Sequence, residues 1–420
     1  MPRGIGKLTS LQTLSMFVVD KDGSHGAAAA DLSELGGLNR LRGELIIKNL
    51  GFVKNAGDKF KAANLKEKQH LQSLVLEWRG DMNSAGNEEE DDDEEKSLED
   101  LKPHPNLTKL HVRGWRGKAK FPSWFSLLTN LVDIRIKGPS KFKHLPSFAR
   151  LSHLQRLKIS KLIELEYMED NGHNGGQGDS EPFFPSLKLL HLKGCPNMKS
   201  WWRESPIEDD GDKDDDKDRT ASTVAFPCLS TLCIKNCPLS SMPLYPSVDD
   251  ELILMNTSSR PLKHTIQMST TTTSTSSLLF KTSSTSSVPL SKLKSFEVEN
   301  IEELDRDMLD ECLKNMTSLK RWGIGSCSWL KSLSEFLQQM TGLTSLKIKD
   351  CKELDLEGMQ WEPLKNLSHL VIDNIPQLES LPLWLQHLDQ LKTLEIENCS
   401  GLKSLFPVFQ HLISLEELSI

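Results

Sequence analysis

The stretch Leu388-Asp-Gln-Leu391-Lys-Thr-Leu394-Glu-Ile396-Glu-Asn-Cys399 decides the fold. Leucines stand three residues apart at its start, and apolar residues then alternate with polar ones around Leu394 and Ile396. Strict alternation predicts a short β-strand whose two apolar side chains lie on one face. A unit this short cannot bury that face by itself, so the pattern predicts that neighbouring copies of the unit bury it.

The same alternation recurs along the whole chain, in about fifteen units. In the last third, its second apolar residue recurs every 24 to 26 residues, at Val298, Ile324, Ile348, Ile372, Ile396 and Ile420. Earlier the intervals are less regular, and this position falls at Met16, Ile47, Leu76, Val112, Ile136, Ile159, Leu192, Ile234 and Leu254. This is the pattern of leucine-rich repeats. It predicts an α/β leucine-rich-repeat solenoid (horseshoe) with a parallel concave β-sheet and irregular convex helices, turns and loops.

Two regions of this solenoid are predicted. Residues 1–300 hold irregular repeats with low-complexity insertions at 86–96, 170–181, 205–221 and 257–287, and residues 301–420 hold regular 24-residue repeats. In the last insertion 19 of 31 residues are Ser or Thr, which leaves too few apolar groups to offset the entropy lost on ordering. We expect disordered loops in all four places, because the repeat frame resumes after each.

The acidity of the chain is confined to two of these insertions. The net charge is −8, but residues 88–95 are eight consecutive carboxylates, and residues 208–219 hold eight acidic and three basic side chains. The rest of the chain is therefore mildly basic, at about +5. We expect both acidic runs to be solvated rather than metal-binding, since neither the glycine nor the closing glutamate of an EF-hand stands at the required spacing in 209–218.

The sequence holds no motif for catalysis or for a cofactor. It lacks a Walker A loop, a His-Glu-x-x-His pair, a Gly-x-Ser-x-Gly elbow and a kinase His-Arg-Asp triplet. Cysteines recur three residues after the second strand position, where leucine-rich repeats place a small buried side chain, at Cys195, Cys237, Cys327, Cys351 and Cys399. Cys228 and Cys233 lie near Cys237, but no second ligand pair follows for zinc. We predict that the chain is not an enzyme and has no catalytic, cofactor or metal residue.

The chain also lacks the signals of a membrane or secreted protein. Although 67 of the 420 residues are leucine, no apolar run approaches the roughly 18 residues of a membrane span. The amino terminus has no apolar leader stretch, and cysteines scattered without a disulfide framework suit a reducing compartment. We therefore predict a cytoplasmic location without a membrane span.

Residues beside the apolar strand positions are predicted to form a basic concave surface. Side chains three before, one before and one after the second apolar position should point to solvent. From the fourth to the eighth repeat these columns carry eight formal positive charges and one negative charge, at Asp133, while Thr231 is neutral. The predicted partner-binding residues are Lys109, His111, Arg113, Arg135, Lys137, Arg156, Lys158, His191, Lys193 and Lys235.

Three interpretations of this surface stay open. It is a solvated face whose charges are screened by salt, or a nucleic-acid groove, or a docking surface for an acidic partner or for the chain's own acidic loops at 88–95 and 208–218. The nucleic-acid groove is disfavoured because the columns offer no aromatic side chains for base stacking. Later repeats change the sign of the charge locally, with Glu297 and Glu299, then Lys347 and Lys349, then Glu395 and Glu397.

Three segments carry a family resemblance. These are Leu38-Asn-Arg-Leu-Arg-Gly-Glu-Leu45, Ala62-Ala-Asn-Leu-Lys66 and Leu71-Gln-Ser-Leu-Val-Leu-Glu-Trp78, preceded by a similar opening over residues 1–14. Together they resemble a block in the leucine-rich-repeat region of plant nucleotide-binding, leucine-rich-repeat (NB-LRR) disease-resistance proteins of the coiled-coil class. The resemblance covers essentially the whole chain.

The resemblance implies a recognition module of plant innate immunity that senses a pathogen effector or a guarded host protein. In the full-length family the repeats also contact the nucleotide-binding domain, which is missing from this sequence, so we expect a fragment or a truncated product. Two alternatives stay open: an adaptor such as a ubiquitin-ligase substrate receptor, and a non-functional truncated resistance-gene product. Protein partners are expected, and nucleic acid is not.

Overall fold

One short strand forms in each repeat, at the place that the alternation predicts. The structure is a computed structural model, and it describes residues 1, 3–19, 31–53, 56–78, 98–115, 121–138, 141–146, 148, 151–169, 184–202, 226–239, 248–260, 262–263, 288, 290–360, 362–406 and 408–420. The chain forms two compact units: Met1–Cys228 with Cys237–Leu244, and Leu229–Asn236 with Tyr245–Ile420. The predicted division at residue 300, which concerned the regularity of the repeats, stays a prediction.

The first unit is built on a parallel sheet of seven strands that follow one another along the chain. They are β1 (Met16–Val18), β2 (Gly43–Lys48), β3 (Leu71–Glu77), β4 (Lys109–Arg113), β5 (Asp133–Lys137), β6 (Arg156–Ser160) and β8 (Leu189–Lys193). Two further strands, β7 (Tyr167–Glu169) and β9 (Ser200–Trp202), pair with each other in parallel. The connections hold helix α1 (Ala56–Ala62) and the 3₁₀ helices Ile5–Lys7, Leu32–Gly37, Leu50–Phe52, Leu65–Glu67 and Ser123–Leu127.

The second unit has eight parallel strands in chain order. They are β10 (Thr231–Lys235), β11 (Glu251–Ser258), β12 (Ser295–Glu302), β13 (Arg321–Gly325), β14 (Ser345–Lys349), β15 (His369–Asp373), β16 (Thr393–Glu397) and β17 (Glu417–Ser419). Its helices are α2 (Arg306–Asn315) and α3 (Ser334–Leu337), with 3₁₀ helices at Glu362–Leu364, Leu383–His387 and Val408–His411. Each unit is therefore a leucine-rich-repeat solenoid, which confirms the predicted fold class.

Strand pairing confirms the repeat frame except at its first member. Ile47 pairs with Leu76, Leu76 with Val112, and the later predicted positions continue in the same register. The partner of Ile47 on β1, however, is Phe17 and not the predicted Met16. Phe17 is fully buried whereas Met16 is 37% exposed, so the prediction was wrong by one residue. The stretch from Met16 to Val19 is apolar throughout, and without alternation its sequence does not fix the register.

The apolar strand residues form the core, together with the cysteine ladder. Both strand positions of the typical repeat, such as Leu394 and Ile396, are buried, and each buried side chain stabilises the fold by roughly 2 kcal/mol. Of the five predicted ladder cysteines four are buried, and Cys399 is half-buried. Burial raises the pKa of Cys327 to about 12, which keeps that thiol protonated and unreactive.

The predicted insertions lie mostly outside the described residues. This holds for 86–96, 170–181 and 205–221, and for most of 257–287. The start of the last insertion was predicted too early, because β11 continues to Ser258 and pairs with β12 there. Thr257, Ser259 and Leu262 are all buried. In the part of the chain that is described, no helix is long and apolar enough to cross a membrane.

Lys68, which follows the 3₁₀ helix Leu65–Glu67 of the first unit, is a buried charge that the sequence analysis did not predict. Its side chain is completely buried, and its Nζ donates to the carbonyl oxygen of Leu35 at 2.7 Å, at the end of the 3₁₀ helix Leu32–Gly37. The carbonyl oxygen of Leu38 and the Oδ1 atom of Asn39 are both 3.4 Å away. Loss of solvent lowers the pKa of this ammonium to about 8, because a buried charge is disfavoured unless it is fully compensated.

We expect the unfolding free energy to rise between about pH 8 and pH 10.5, because the folded chain releases the Lys68 proton before the unfolded chain does. Below this window both states are protonated, and the burial penalty of up to ~3 kcal/mol is present in full. Urea unfolding at pH 7.5 and at pH 10 measures the rise. Lys68→Met should abolish it, whereas the exposed control Lys66→Met should retain it. An equal rise in both variants would assign the pH dependence to other groups.

Candidate partner-binding surface

The predicted basic residues of the first unit lie in three columns that cross neighbouring strands. Strand register places them side by side on β4, β5, β6 and β8. The first column is Lys109, Asp133, Arg156 and Leu189; the middle column is His111, Arg135, Lys158 and His191; the outer column, at the carboxyl ends of the strands, is Arg113, Lys137, Ser160 and Lys193. We call these three columns the basic face. Lys235, the remaining predicted residue, lies half-buried on β10 of the second unit.

Asp133 is the centre of an ion cluster on this face. Its carboxylate accepts hydrogen bonds from Nε and Nη2 of Arg135 at 3.1 and 3.0 Å, and from Nε of Arg156 at 3.0 Å. The Nε2 atom of His111 lies 3.6 Å from the Asp133 Oδ1 atom. Although burial raises the pKa of this carboxyl, the three donors outweigh burial and hold the pKa of Asp133 well below its usual range. The aspartate is therefore ionised at any physiological pH.

Two side chains that were predicted to face solvent are buried instead. Asp133 is 1% exposed and His111 is 8% exposed, so the expectation that every column residue is accessible was wrong for both. The two arginines close over Asp133 from its own strand and from the next strand. His111 lies against the same carboxylate, so the cluster excludes water from its own centre. Arg135 and Arg156 are two of the ten predicted contact residues, and they donate hydrogen bonds to Asp133 within the chain.

Five cations of the basic face stay uncompensated. They are Lys109, Arg113, Lys137, Lys158 and Lys193, and no ion pair among the described residues involves any of them. Lys158 is half-buried, and the other four are exposed. Like charges on adjacent strands disfavour the sheet by a few tenths of a kcal/mol per pair. The face therefore combines a fixed central cluster with surrounding cations that are available for contact.

The outer column ends on glycines. Gly114, Gly138 and Gly194 directly follow Arg113, Lys137 and Lys193, and all three have positive φ angles. A Cβ atom on Gly138 would come within 3.0 Å of the Gly114 backbone, so a side chain there would push neighbouring repeats apart. The strand ends beside the three exposed cations thus carry bare backbone.

Some of the charges in the corresponding columns of the second unit are compensated by ion pairs. Glu297 and Glu299 on β12 reach across β13 to Lys347 and Lys349 on β14, with Nζ to Oε1 distances of 3.5 and 3.7 Å. They can do so because the intervening positions are Gly323 and Gly325; a Cβ on Gly323 would lie 2.8 Å from the Glu297 Cγ atom. Of the charge reversals predicted from the sequence, the glutamates of β12 and the lysines of β14 therefore form ion pairs across a skipped strand. No ion pair among the described residues involves Glu395 or Glu397 of β16.

A polar groove at the opposite ends of the strands was missed by the sequence analysis. One cavity of about 560 Å³ is lined by Arg42, Gly43, Gln69, His70, Leu71, Gln72, Asn106 and Thr108. A second, of about 400 Å³, shares Asn106 and Thr108 and extends to Asn130, Val132, His153 and Gln155. The available signal was the repeated polar residue four and six positions before the second apolar strand residue. Several of these groups hold neighbouring repeats together: Asn106 Nδ2, for example, donates to the Gln69 carbonyl oxygen at 3.2 Å.

Across the described residues, no three His, Cys, Asp or Glu side chains are grouped to hold a metal ion. The basic face is a wide, open sheet surface with a fixed charge pattern, which suits recognition of another macromolecule. With one parallel strand per repeat and a leucine and cysteine core, the chain belongs to the leucine-rich-repeat class.

Comparison with known proteins narrows this class. Residues 32–162 match the family model of R13L1/DRL21 leucine-rich repeats. Residues 280–420 match the model described as plant disease resistance protein RPS2-like, leucine-rich repeats. The chain thus carries leucine-rich repeats of plant disease-resistance proteins, and the resemblance stated from the sequence is confirmed.

Individual relatives agree with these families. The putative disease resistance protein RGA4 of Solanum bulbocastanum is 33% identical over 274 residues, which are 64% of this chain and 25% of that protein. RGA1 of the same species is 34% identical over 250 residues, 59% of this chain and 22% of that protein. The chain thus spans about a quarter of the length of these relatives. Among solved structures, the ectodomain of the Arabidopsis thaliana receptor kinase GASSHO1/SCHENGEN3 is 15% identical, with a TM-score of 0.41 over 92% of this chain and 45% of that chain.

Removal of the Asp133 carboxylate should destabilise the first unit. We expect Asp133→Asn to lower the unfolding free energy by about 3 kcal/mol at pH 7, because two arginines lose their buried counter-charge. Because folding lowers the pKa of Asp133, its contribution is present above the ordinary pKa of 3.8 and is lost as the pH falls through the folded value. The difference in unfolding free energy between Asp133→Asn and wild type should therefore become smaller only in strong acid.

Denaturant unfolding of the two proteins from pH 7 down to pH 2 measures this difference. Glu299→Gln is the matched control, because it removes a carboxylate from a more exposed ion pair and should cost less than about 1 kcal/mol. Equal losses for the two variants would show that the Asp133 cluster adds nothing beyond a surface ion pair.

Proposed function

We propose that the chain is a non-catalytic recognition module of plant defence that works in the cytoplasm and senses a protein, either a pathogen effector or a guarded host protein. The observation that carries this proposal is the basic face, with its five uncompensated cations on a parallel leucine-rich-repeat sheet. The disease-resistance families that match both ends of the chain support the defence context.

The basic face has the organisation of a protein-binding surface. Its centre is held by Asp133 with Arg135 and Arg156, so that part of the surface keeps one shape before a partner arrives. A surface that is already ordered loses less conformational entropy on binding. The surrounding cations steer an oppositely charged partner and set its orientation more than they set its affinity. Eight of the ten residues predicted from the sequence therefore divide between shape and charge, and His191 and Lys235 belong to neither group.

Partner contact by this face can be tested by proximity labelling in leaf tissue. The chain is fused to a biotin ligase and expressed with and without pathogen challenge, as wild type and with Lys109, Arg113, Lys137, Lys158 and Lys193 all changed to Glu. We expect wild type to label a pathogen protein or a host defence protein and the variant to lose that label. The control Lys66→Glu with Lys102→Glu reverses exposed lysines outside the three columns and should keep it.

Two outcomes would contradict the proposal. If wild type and the five-residue variant label the same proteins, the basic face is not the contact surface. If the labelled proteins are instead the core subunits of a ubiquitin ligase, the chain is an adaptor and not a sensor. Circular dichroism of the purified variants checks that each one is folded.

We also expect that the purified chain neither binds nor hydrolyses ATP, since its sequence has no phosphate-cradling loop. Isothermal titration with ATP up to about 1 mM, the upper end of common substrate affinities, should show only heat of dilution. A saturable binding heat or phosphate release that increases with the amount of chain would contradict a purely recognition role.

A further inference from the structure

We infer that the outer column of the first unit, Arg113, Lys137 and Lys193, binds an extended, carboxylate-rich segment of a partner protein that lies across the strands. We call these three residues the cation row. This inference rests on the proposed function, and it adds the chemistry of the partner and the residues that contact it. The cluster around Asp133 holds the shape of the neighbouring surface and does not bind the segment itself.

The geometry of the cation row suits an extended chain. Register places Lys137 directly beside Arg113 and places Lys193 beside Ser160, one strand further along. With strands about 4.8 Å apart, the row spans roughly 14 Å. An extended peptide places side chains of one face about 6.7 Å apart, so about four or five of its residues cover the row. Two or three carboxylates on one face of such a segment can then meet the three cations.

The uncompensated charge of the row contrasts with the paired charges of β12 and β14. Asp133 shows that the same sheet accommodates a carboxylate between two arginines. In the second unit, Lys347 and Lys349 each have a glutamate partner across β13. The cation row forms no ion pair among the described residues. Glu77 on β3 is the strand neighbour of Arg113, but the neighbour of both Lys137 and Lys193 on β6 is Ser160, where an acidic residue would lie beside both lysines. The missing counter-charge is the feature that an acidic partner would supply.

The row favours carboxylates over phosphates. Arg135 and Arg156 are committed to Asp133, which leaves one arginine and two lysines in the row, so bidentate arginine recognition of phosphate is available only at Arg113. Two of the three backbone N–H groups at the strand ends are also occupied. The amide of Gly114 donates to the Lys137 carbonyl oxygen at 2.6 Å, and that of Gly138 donates to the Ser160 carbonyl oxygen at 3.1 Å. Beside Arg113 and Lys137, therefore, no backbone nest of the kind that cradles phosphate is open.

The glycines beside the row give a partner backbone access to it. Gly114, Gly138 and Gly194 follow the three cations and present no side chain beside them, whereas β6, which contributes Ser160 to the outer column, is followed by Lys161. The corresponding strand ends of the second unit carry amide and carboxylate side chains that bond to one another: Asn256 Nδ2 donates to Asn236 Oδ1 at 2.6 Å, and Asn300 Nδ2 to Asn256 Oδ1 at 2.7 Å. Among the described strands, the edge without side chains is thus confined to the ends of β4, β5 and β8.

Binding of a labelled peptide tests the inference. The probe is a fluorescein-labelled peptide of alternating Glu and Ser, ten residues long, titrated with the purified full chain and followed by fluorescence anisotropy. We expect saturable binding that weakens as salt is raised, because exposed charges are screened beyond a Debye length. Arg113→Gln with Lys137→Gln and Lys193→Gln should weaken binding about tenfold or more. The control Lys347→Gln with Lys349→Gln changes compensated lysines and should bind within about twofold of wild type.

Two further titrations distinguish the partner segment from other possible ligands of the cation row. The same titration is made with an oligouridylate of equal charge, and with a chain whose acidic residues at 88–95 and 208–218 are changed to their amides. Tighter binding of the oligouridylate than of the peptide would overturn the inference in favour of nucleic acid. Peptide binding only by the amide-substituted chain would assign the row to the chain's own acidic residues and would overturn the partner segment.

Absence of peptide binding in both wild type and the amide-substituted chain would also overturn the inference, as would equal weakening by the row and control variants. Either result leaves the proposed function standing if proximity labelling still identifies a defence partner, because the partner then binds elsewhere on the chain. Failure of the labelling experiment together with normal peptide binding would reject the sensor role and keep the chemistry of the row.

Discussion

The structure depends on one constraint: the two apolar side chains of each strand can be buried only by the strands on either side. Because the side-chain period of a strand is two, a slip of one residue would expose both leucines of a repeat. Burial therefore fixes the register of every neighbouring pair, as in the pairing of Ile348 with Ile372 and of Ile372 with Ile396. Once the register is fixed, the polar residues between the leucines fall into columns. The surface pattern of this chain is thus a consequence of how its core is packed.

The sequence predicts the strands well because the alternation and the burial requirement coincide. The prediction fails where the alternation of apolar residues and the requirement for burial do not coincide. At Met16 and Phe17 consecutive apolar residues satisfy either frame, and only pairing with Ile47 distinguishes them. At Thr257 and Ser259 the side chains are polar and suggested a solvated loop, yet both residues are buried. Composition predicts whether side chains can form a core, but it does not detect a strand that is extended by backbone hydrogen bonds to its neighbour.

The residues of the basic face could be listed from the sequence, since register alone places them in columns. Their chemical environments could not. Asp133 counted as one negative charge among eight positive ones, but its effect depends on which donors reach it. Arg135 comes from its own strand, Arg156 comes from the next strand, and His111 approaches from the preceding strand. These contacts depend on side-chain length and direction across three repeats. A column of formal charges carries no information about side-chain length or direction. For the same reason, the ion pairs that span Gly323 and Gly325 could not be predicted from the sequence.

The two units share one architecture but differ in how the charges on their sheets are paired. In the second unit glycines open a gap, and acidic and basic side chains from the flanking strands close it, so the charges on β12 and β14 are satisfied within the chain. In the first unit glycines lie at the strand ends, beyond Arg113, Lys137 and Lys193, and no carboxylate among the described residues closes over these cations. A single acidic substitution at Ser160 would relieve their repulsion without disturbing a leucine. The repulsion among these cations does not stabilise the fold, and their charges are available to a partner that brings the opposite sign.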